Sequence, residues 1–240
     1  MSWRRGRGRL QCRETIILMH DQSETQETES DGEAPQEEHQ KPRYGLPPSP
    51  EFLARMAERR ELLRQEAAAI PGIEGSIIWE VGCGHGHFLT GYAEKFAGHP
   101  CVGVDIILDR VLRGARKRNR ARVGHLHFLR GEAGLFLDVL PEKTRLAGVF
   151  VLFPDPWPKK RHHKNRIMQA EFMSRLAQHC EPGTPLHFRT DFAPYFTSVS
   201  EMISGLSDWQ LRPDLPWPFE LETVFQQRAA EYQSLIATRL

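Results

Sequence analysis

The chain is poor in the features that mark secreted, membrane-bound or metal-built proteins. Its 240 residues include only four cysteines, Cys12, Cys83, Cys101 and Cys180, and no two form a C-x-x-C pair. That scatter excludes a disulfide framework or a zinc site and fits a reducing compartment. No apolar run approaches the roughly 18 residues that would cross a bilayer. Residues 16–19 are too short for the core of a signal peptide. The expectation is a cytoplasmic protein with no membrane contact and no bound metal. Internal repeats are also missing. The formal net charge of +1 looks uninformative, but it averages opposite blocks. An acidic stretch at residues 21–38 offsets a basic remainder, and a cationic body favours a polyanionic partner.

Residues 1–45 lack apolar side chains where a fold would need them. An Arg/Gly-rich start runs into Glu, Ser, Thr and Gln, and such a stretch buries too little to offset its ordering entropy. It reads as a disordered tail. The alternatives are an RNA-binding arm, a transit-like segment, or upstream sequence with Met19 as the true initiator. Residues 44–50, YGLPPSP, are a stiff linker. There Ser49 is the N-cap, and Pro50 the first residue, of a helix that stops before Pro71-Gly72. Residues 46–240 form the functional domain in this reading.

From Ser76 onward, apolar runs at residues 77–81, 101–105, 125–130, 148–153 and 186–190 read as strands. Amphipathic stretches at 88–96, 108–122, 133–140, 167–179 and 194–206 separate them. A last strand or pair is expected near 232–238. This α/β alternation predicts a doubly wound, mostly parallel sheet with helices on both faces and ligands at the strands' C-terminal ends.

The first strand ends in Glu80-Val81-Gly82-Cys83-Gly84-His85-Gly86. Alternate glycines let a backbone turn sharply and approach a ligand. The spacing is G-x-G-x-G, unlike the dinucleotide G-x-G-x-x-G. Glu80 repels a pyrophosphate but suits the ammonium or sulfonium of S-adenosylmethionine, which makes a nicotinamide oxidoreductase the weaker reading. Asp105 ends the second strand, where a carboxylate accepts hydrogen bonds from ribose hydroxyls. Glu132 follows the third strand and is placed for an adenine amino group. Glu80, Gly82, Gly84, Asp105 and Glu132 are therefore the cofactor candidates, on a Rossmann-like class I methyltransferase fold. His85 and His87 lack the companions of a metal site and read as loop residues.

The fourth strand runs into Phe153-Pro154-Asp155-Pro156-Trp157-Pro158 and then Lys159-Lys160-Arg161-His162-His163-Lys164-Asn165-Arg166. A stiffened carboxylate thus sits beside a cationic ribbon. The helix at 108–122 adds Arg110, Arg113, Arg116, Lys117, Arg118, Arg120 and Arg122. Two such blocks fit a phosphate backbone. Trp157 either stacks on an extruded base or packs internally, and Asp191 either contacts substrate or caps a helix.

F-P-D-P-W-P-K-K-R-H-H-K resembles the signature of the bacterial-type tRNA (guanine-N7-)-methyltransferases. E-V-G-C-G-H-G, G-V-D, G-E-A and F-R-T-D follow the family's order, and the likeness covers roughly residues 49–240. The resemblance implies transfer of a methyl group from S-adenosylmethionine to a guanosine in the tRNA variable loop. It also makes Asp155 the catalytic acid beside cofactor and base. Lys159 and Asp191 become substrate contacts, and Arg161, His162, His163, Lys164 and Arg166 the RNA-interacting segment. Thr223 and Gln226 stand where the family has Thr-x-x-Glu. Gln226 replaces the Glu, and an amide can hydrogen-bond but carries no charge. An RNA methyltransferase for another base, or a non-catalytic RNA-binding protein on the same fold, are the remaining readings.

Overall fold

Ser49 opens the ordered architecture by capping α1 (Pro50–Ala68), its Oγ accepting the Phe52 N–H at 3.2 Å. Proline fits the first helical position because its missing N–H has no partner there. The computed structural model describes residues 49–221 and 231–240, so the expected tail at 1–45 lies outside the described residues. The described residues belong to one compact unit, Pro47–Leu240. Only Leu63 and Ala67, one helical turn apart, are buried in α1, so the helix docks by its last turns.

The elements then alternate: β1 (Ser76–Val81), α2 (His87–Lys95), β2 (Cys101–Asp105), α3 (Leu108–Ala121), β3 (Leu126–Arg130), α4 (Ala133–Val139), β4 (Arg145–Leu152), α5 (Ala170–Ala177), β5 (Pro185–Thr190), α6 (Ala193–Ser204), β6 (Trp209–Leu211) and β7 (Gln233–Arg239). They build one sheet in the order β3-β2-β1-β4-β5-β7-β6. The first five strands are mutually parallel, and β7 runs antiparallel to β5 and β6. The mostly parallel, doubly wound sheet expected from the sequence is the one found. Two details differ: β6, only three residues long, gives no periodic signal, and residues 160–165 form a 3-10 helix within the ribbon.

Alternation along β1 sorts the core into two layers. Ile77, Trp79 and Val81 face α1, α4, α5 and α6, and Trp79 packs on Phe136 and Phe172. Ile78 faces α2 and α3 with Phe88, Phe128 and Phe150. Glu80 shares the parity of Ile78 and so falls on the α2/α3 side.

The same parity on β5 places Leu186 and Phe188 in the first layer and turns His187 and Arg189 the other way. His187 stacks on Phe150 with ring centres 4.5 Å apart. Arg189 is 4% exposed and lies between the Trp217 and Tyr232 rings, its guanidinium carbon 4.1 and 4.7 Å from their centres. It pairs with both oxygens of Glu220, at 3.0 and 2.8 Å, and donates to Ser234 Oγ at 2.8 Å. One buried cation therefore ties the C-terminal strand and the segment before it to the sheet. A buried guanidinium that loses its carboxylate keeps the desolvation cost without the compensating bond. Glu220→Ala should therefore lower the unfolding free energy by about 2 kcal/mol, read as a shift in urea midpoint. Asp214→Ala, which removes an exposed pair with Arg212, should leave the midpoint where it was.

Candidate active site

Strand order reverses between β1 and β4, and such a switch point opens a crevice at the strands' C-terminal ends. A cleft of about 410 Å³ lies there, lined by residues from the ends of β1, β2 and β4 and from the starts of α3 and α4. Gly82, Gly84, Asp105, Glu132 and Asp155 all line it, together with Arg110 and Trp157. Sequence-distant candidates for the cofactor and for the reaction thus share one space.

The floor is the glycine loop. Gly82 and Gly84 have φ of 67° and 53°, and a Cβ built on either meets nothing within 4 Å. Gly86 also has positive φ, but a Cβ there would run into the Phe128 ring. The first two glycines keep the cleft open, and the third lets the loop close on the core. Lys117 Nζ donates to the His85 carbonyl at 2.8 Å and pins the loop to α3.

Asp105 is 4% exposed and serves the backbone first. One oxygen accepts from Gly84 N at 3.0 Å, the other from Ile107 N at 2.9 Å, and Arg110 lies 3.6 Å away. Two carboxylate oxygens offer about four acceptor sites, so room remains for a ribose hydroxyl. Glu132 is exposed at the mouth of α4 and makes no capping hydrogen bond.

Glu80 is placed differently from the other cofactor candidates. It is 4% exposed, lies below the loop rather than among the cleft-lining residues, and leaves Oε2 without a hydrogen-bond partner. Burial pushes its pKa up to about 8, with the Leu89 amide opposing the rise and Asp105 adding to it. Beside it, burial lifts the Cys83 thiol well above its ordinary value, which keeps it from acting as a thiolate nucleophile.

These residues fit S-adenosylmethionine. The open space above Gly82 and Gly84 admits a ligand's backbone, while an orphaned buried acid and three lining carboxylates, Asp105, Glu132 and Asp155, favour cationic, hydroxyl and amino groups. A pyrophosphate would meet the like charge of Asp105, Glu132 and Asp155. Among the described residues, no group of three or more His, Cys, Asp or Glu is placed to hold a metal ion. No helix there is long and apolar enough to cross a membrane.

The far wall is the turn after β4. Phe153 and Trp157 both have positive φ, 49° and 42°, a conformation that costs non-glycine residues about 1–3 kcal/mol each. Asp155 lies between them, exposed at the cleft. Phe153 N–H donates to the Arg189 carbonyl at 2.8 Å, and its ring meets the edge of Tyr232. Trp157 is half-buried and meets His162 edge-on at 5.7 Å.

The ribbon divides. Lys159, Lys160, Arg161 and Lys164 are exposed, and His162 and His163 partly so. Arg166 is 6% exposed, with its guanidinium 4.5 Å from the centre of the Tyr195 ring and its N–H groups engaged inside the protein. Buried, and with three of its five N–H donors engaged inside the protein, it is set apart from the exposed cations of the ribbon with which the sequence grouped it. Asp191 is exposed just after β5 and is not the cap of α6: Phe192 holds that position, its N–H bonded to Thr190 Oγ1 at 3.2 Å. Thr223 and Gln226 lie outside the described residues. Sequence reasoning counted Arg110 only among the charges of its helix and Arg189 only as part of the F-R-T-D motif, with no site or structural role for either. The available signal for Arg189 was a charge in mid-strand, flanked by Phe188 and Thr190.

A family described as "Putative methyltransferase" matches residues 74–234. A tRNA (guanine-N(7)-)-methyltransferase of Syntrophotalea carbinolica is 32% identical over 176 residues, spanning 72% of this chain and 73% of that one. The chain belongs to this methyltransferase family. A second member, the tRNA (guanine-N(7)-)-methyltransferase of Roseobacter denitrificans, is 31% identical over 171 residues, 67% of this chain and 71% of that one. The crystal structure of a methyltransferase from Pyrococcus furiosus aligns with a TM-score of 0.50 at 14% identity, over 75% of this chain and 80% of that one. That likeness speaks for the fold alone. The chain is an S-adenosylmethionine-dependent methyltransferase.

A carboxyl whose folded pKa is raised stabilises the fold fully below its unfolded value, and the contribution is lost as pH climbs through the folded pKa. For Glu80 that window runs from 4.5 to about 8. In the cofactor-free methyltransferase, Tm should fall across this window more steeply than in Glu80→Gln, whose neutral amide does not titrate. Parallel Tm profiles for the two proteins would contradict the burial argument.

Proposed function

We propose that this methyltransferase modifies N7 of a guanosine in the variable loop of tRNA, in the cytoplasm, with residues 46–240 as the catalytic unit. The observation that carries the reading is a single cleft shared by Gly82, Gly84, Asp105 and Glu132 on one side and Asp155 and Trp157 on the other. The names of the relatives supply the substrate class.

S-adenosylmethionine, when bound, supplies a methyl group on a positively charged sulfur. Gly82 and Gly84 would give it backbone access, Asp105 would accept from its ribose and Glu132 from its adenine amino group, and Glu80 would meet its positive charge from beneath once that charge draws the carboxyl's pKa down from about 8. Guanine N7 carries an in-plane lone pair, so the reaction needs no base to free a nucleophile. What it needs is alignment and a partner for the positive charge arriving on the imidazole ring of guanine. Asp155 answers both needs by holding the base edge and facing that charge. Lys159, Lys160, Arg161 and Lys164 grip the phosphates, with His162 and His163 beside them and Asp191 as a further substrate contact. Thr223 and Gln226 would complete the guanine pocket, where the amide can hold the base but adds no charge.

Incubation of the purified chain with unmodified tRNA and methyl-labelled S-adenosylmethionine should yield 7-methylguanosine at one variable-loop position, read by nuclease digestion and mass spectrometry. Label on another base, or none, would refute the assignment. Asp155→Ala should stay folded and lose ~100-fold or more in kcat, the scale of a lost transition-state charge partner; near-normal turnover would remove Asp155 from the mechanism. Neutralising Lys159, Lys160 and Arg161 together should raise the KM for tRNA and reduce the slope of log affinity against log salt by about 2–3, at 0.7–0.9 per phosphate contact. An unchanged slope would make the ribbon a solvated surface.

A further inference from the structure

Arg166 stands in the sequence as the last charge of the ribbon, yet its surroundings give it another task. Its Nε donates to the Pro156 carbonyl at 2.8 Å, within the turn and one residue beyond Asp155. One terminal nitrogen donates to Ser198 Oγ at 3.3 Å, and the other to His163 Nε2 at 3.0 Å. Because a guanidinium only donates, His163 must offer its ring lone pair. The flat face of the cation rests on Tyr195, whose hydroxyl accepts from Met168 N at 3.1 Å. The base of this arrangement is α6, which carries both Tyr195 and Ser198.

On the other side of Asp155, the Phe153 amide is held by the Arg189 carbonyl. The turn is thus fixed at residues 153 and 156, on either side of the acid. Of the non-glycine residues with positive φ among the described residues, Phe153, Trp157 and Arg122, two belong to this turn. A backbone in that region relaxes unless its surroundings over-determine it.

We propose that Arg166 is a positioning residue: a buried bracket that holds the Pro156 carbonyl and so aims Asp155 and Trp157 into the cleft, with no contact to RNA. This rests on the reading of Asp155 as the residue that meets the guanine. A fork of N–H donors in one plane can serve carbonyl, hydroxyl and imidazole acceptors at once while stacking on a ring, and a lysine ammonium cannot. The bracket therefore needs arginine and not merely positive charge. It also links the ribbon to the turn, since His163 belongs to the 3-10 helix that carries the exposed cations.

The test compares wild type, Arg166→Lys and Arg166→Ala in two measurements. Hydrogen–deuterium exchange of the peptide covering residues 153–160 does not depend on the identity of the substrate. In Arg166→Lys it should be faster than in wild type, with the rest of the sheet unchanged. Steady-state kinetics on tRNA should then show kcat reduced roughly 10–100-fold, as for a misaligned reacting group. The KM for tRNA and the calorimetric Kd for S-adenosylmethionine should stay within about twofold of wild type. Unchanged exchange in 153–160 overturns the bracket, whatever the RNA proves to be. A raised KM with kcat intact overturns it in favour of a direct RNA contact. Faster exchange throughout the chain, with a parallel loss of Tm in both variants, reduces Arg166 to a general stabilising residue. A wild type that shows no activity on tRNA refutes the substrate assignment, while the exchange result still decides the bracket.

Discussion

The side-by-side pairing of β1 and β4 is the constraint on which the site depends. Val81 lies opposite Val151 in parallel register, so both strands end at the same edge. One continues into the glycine loop and the other into the proline turn. These two segments are some 70 residues apart in the chain, yet parallel pairing leaves them as neighbours over one cleft. The hydrophobic alternation that seats Trp79 and Val151 in the core also fixes where the strands end. The reaction site is thus a consequence of core packing.

Charge is sorted by depth around that cleft. Acids occupy it and its floor: Glu80 below, Asp105 at the sheet edge, Glu132 and Asp155 at the rim. Cations divide into those that hold structure and those left to solvent. Arg110, Lys117, Arg166 and Arg189 reach inward to Asp105, the His85 carbonyl, the Pro156 carbonyl and Glu220. Arg116, Arg120, Lys159, Lys160 and Arg161 face outward. In the proposed reading the acidic interior would receive a cationic donor and the basic exterior would meet a polyanion. Neither role can be read from a net charge of +1.

The alternating strands and helices were legible in the sequence because each carries a strong local signal. β2 and the start of α3 fall where periodicity puts them, and Ser49-Pro50 marks the start of α1 with two independent cues. β6 was not legible, since three residues cannot display a period and its existence depends on pairing with β7. In the site, glycine spacing and strand-end acids identified the residues of the cleft because those signals are also local. The difference between Arg161 and Arg166 is tertiary. Both are arginines in one basic run, and only the closure of α6 against the turn, with Tyr195 and Ser198 beneath Arg166, separates a solvent-facing charge from a buried one. Glu80 illustrates the same limit: its position in the motif was visible, but its burial under α2 follows from strand parity combined with helix placement.

The proline turn shows why such buried partners are needed. Prolines at 154, 156 and 158 restrict φ and remove three backbone donors, so the segment can anchor itself only through its few remaining N–H groups and its carbonyls. Phe153 contributes one such N–H and Pro156 one such carbonyl, and each finds a fixed partner. Proline stiffness limits the number of shapes the turn can take without selecting the strained one. Selection comes from outside, through positive φ at Phe153 and Trp157 held in place by hydrogen bonds to β5 and to Arg166. An exposed carboxylate on a free loop would sample many directions, and a methyl transfer that relies on alignment would pay for each of them in rate. Restricting the turn from within and clamping it from both sides is how this chain keeps Asp155 both solvent-accessible and aimed.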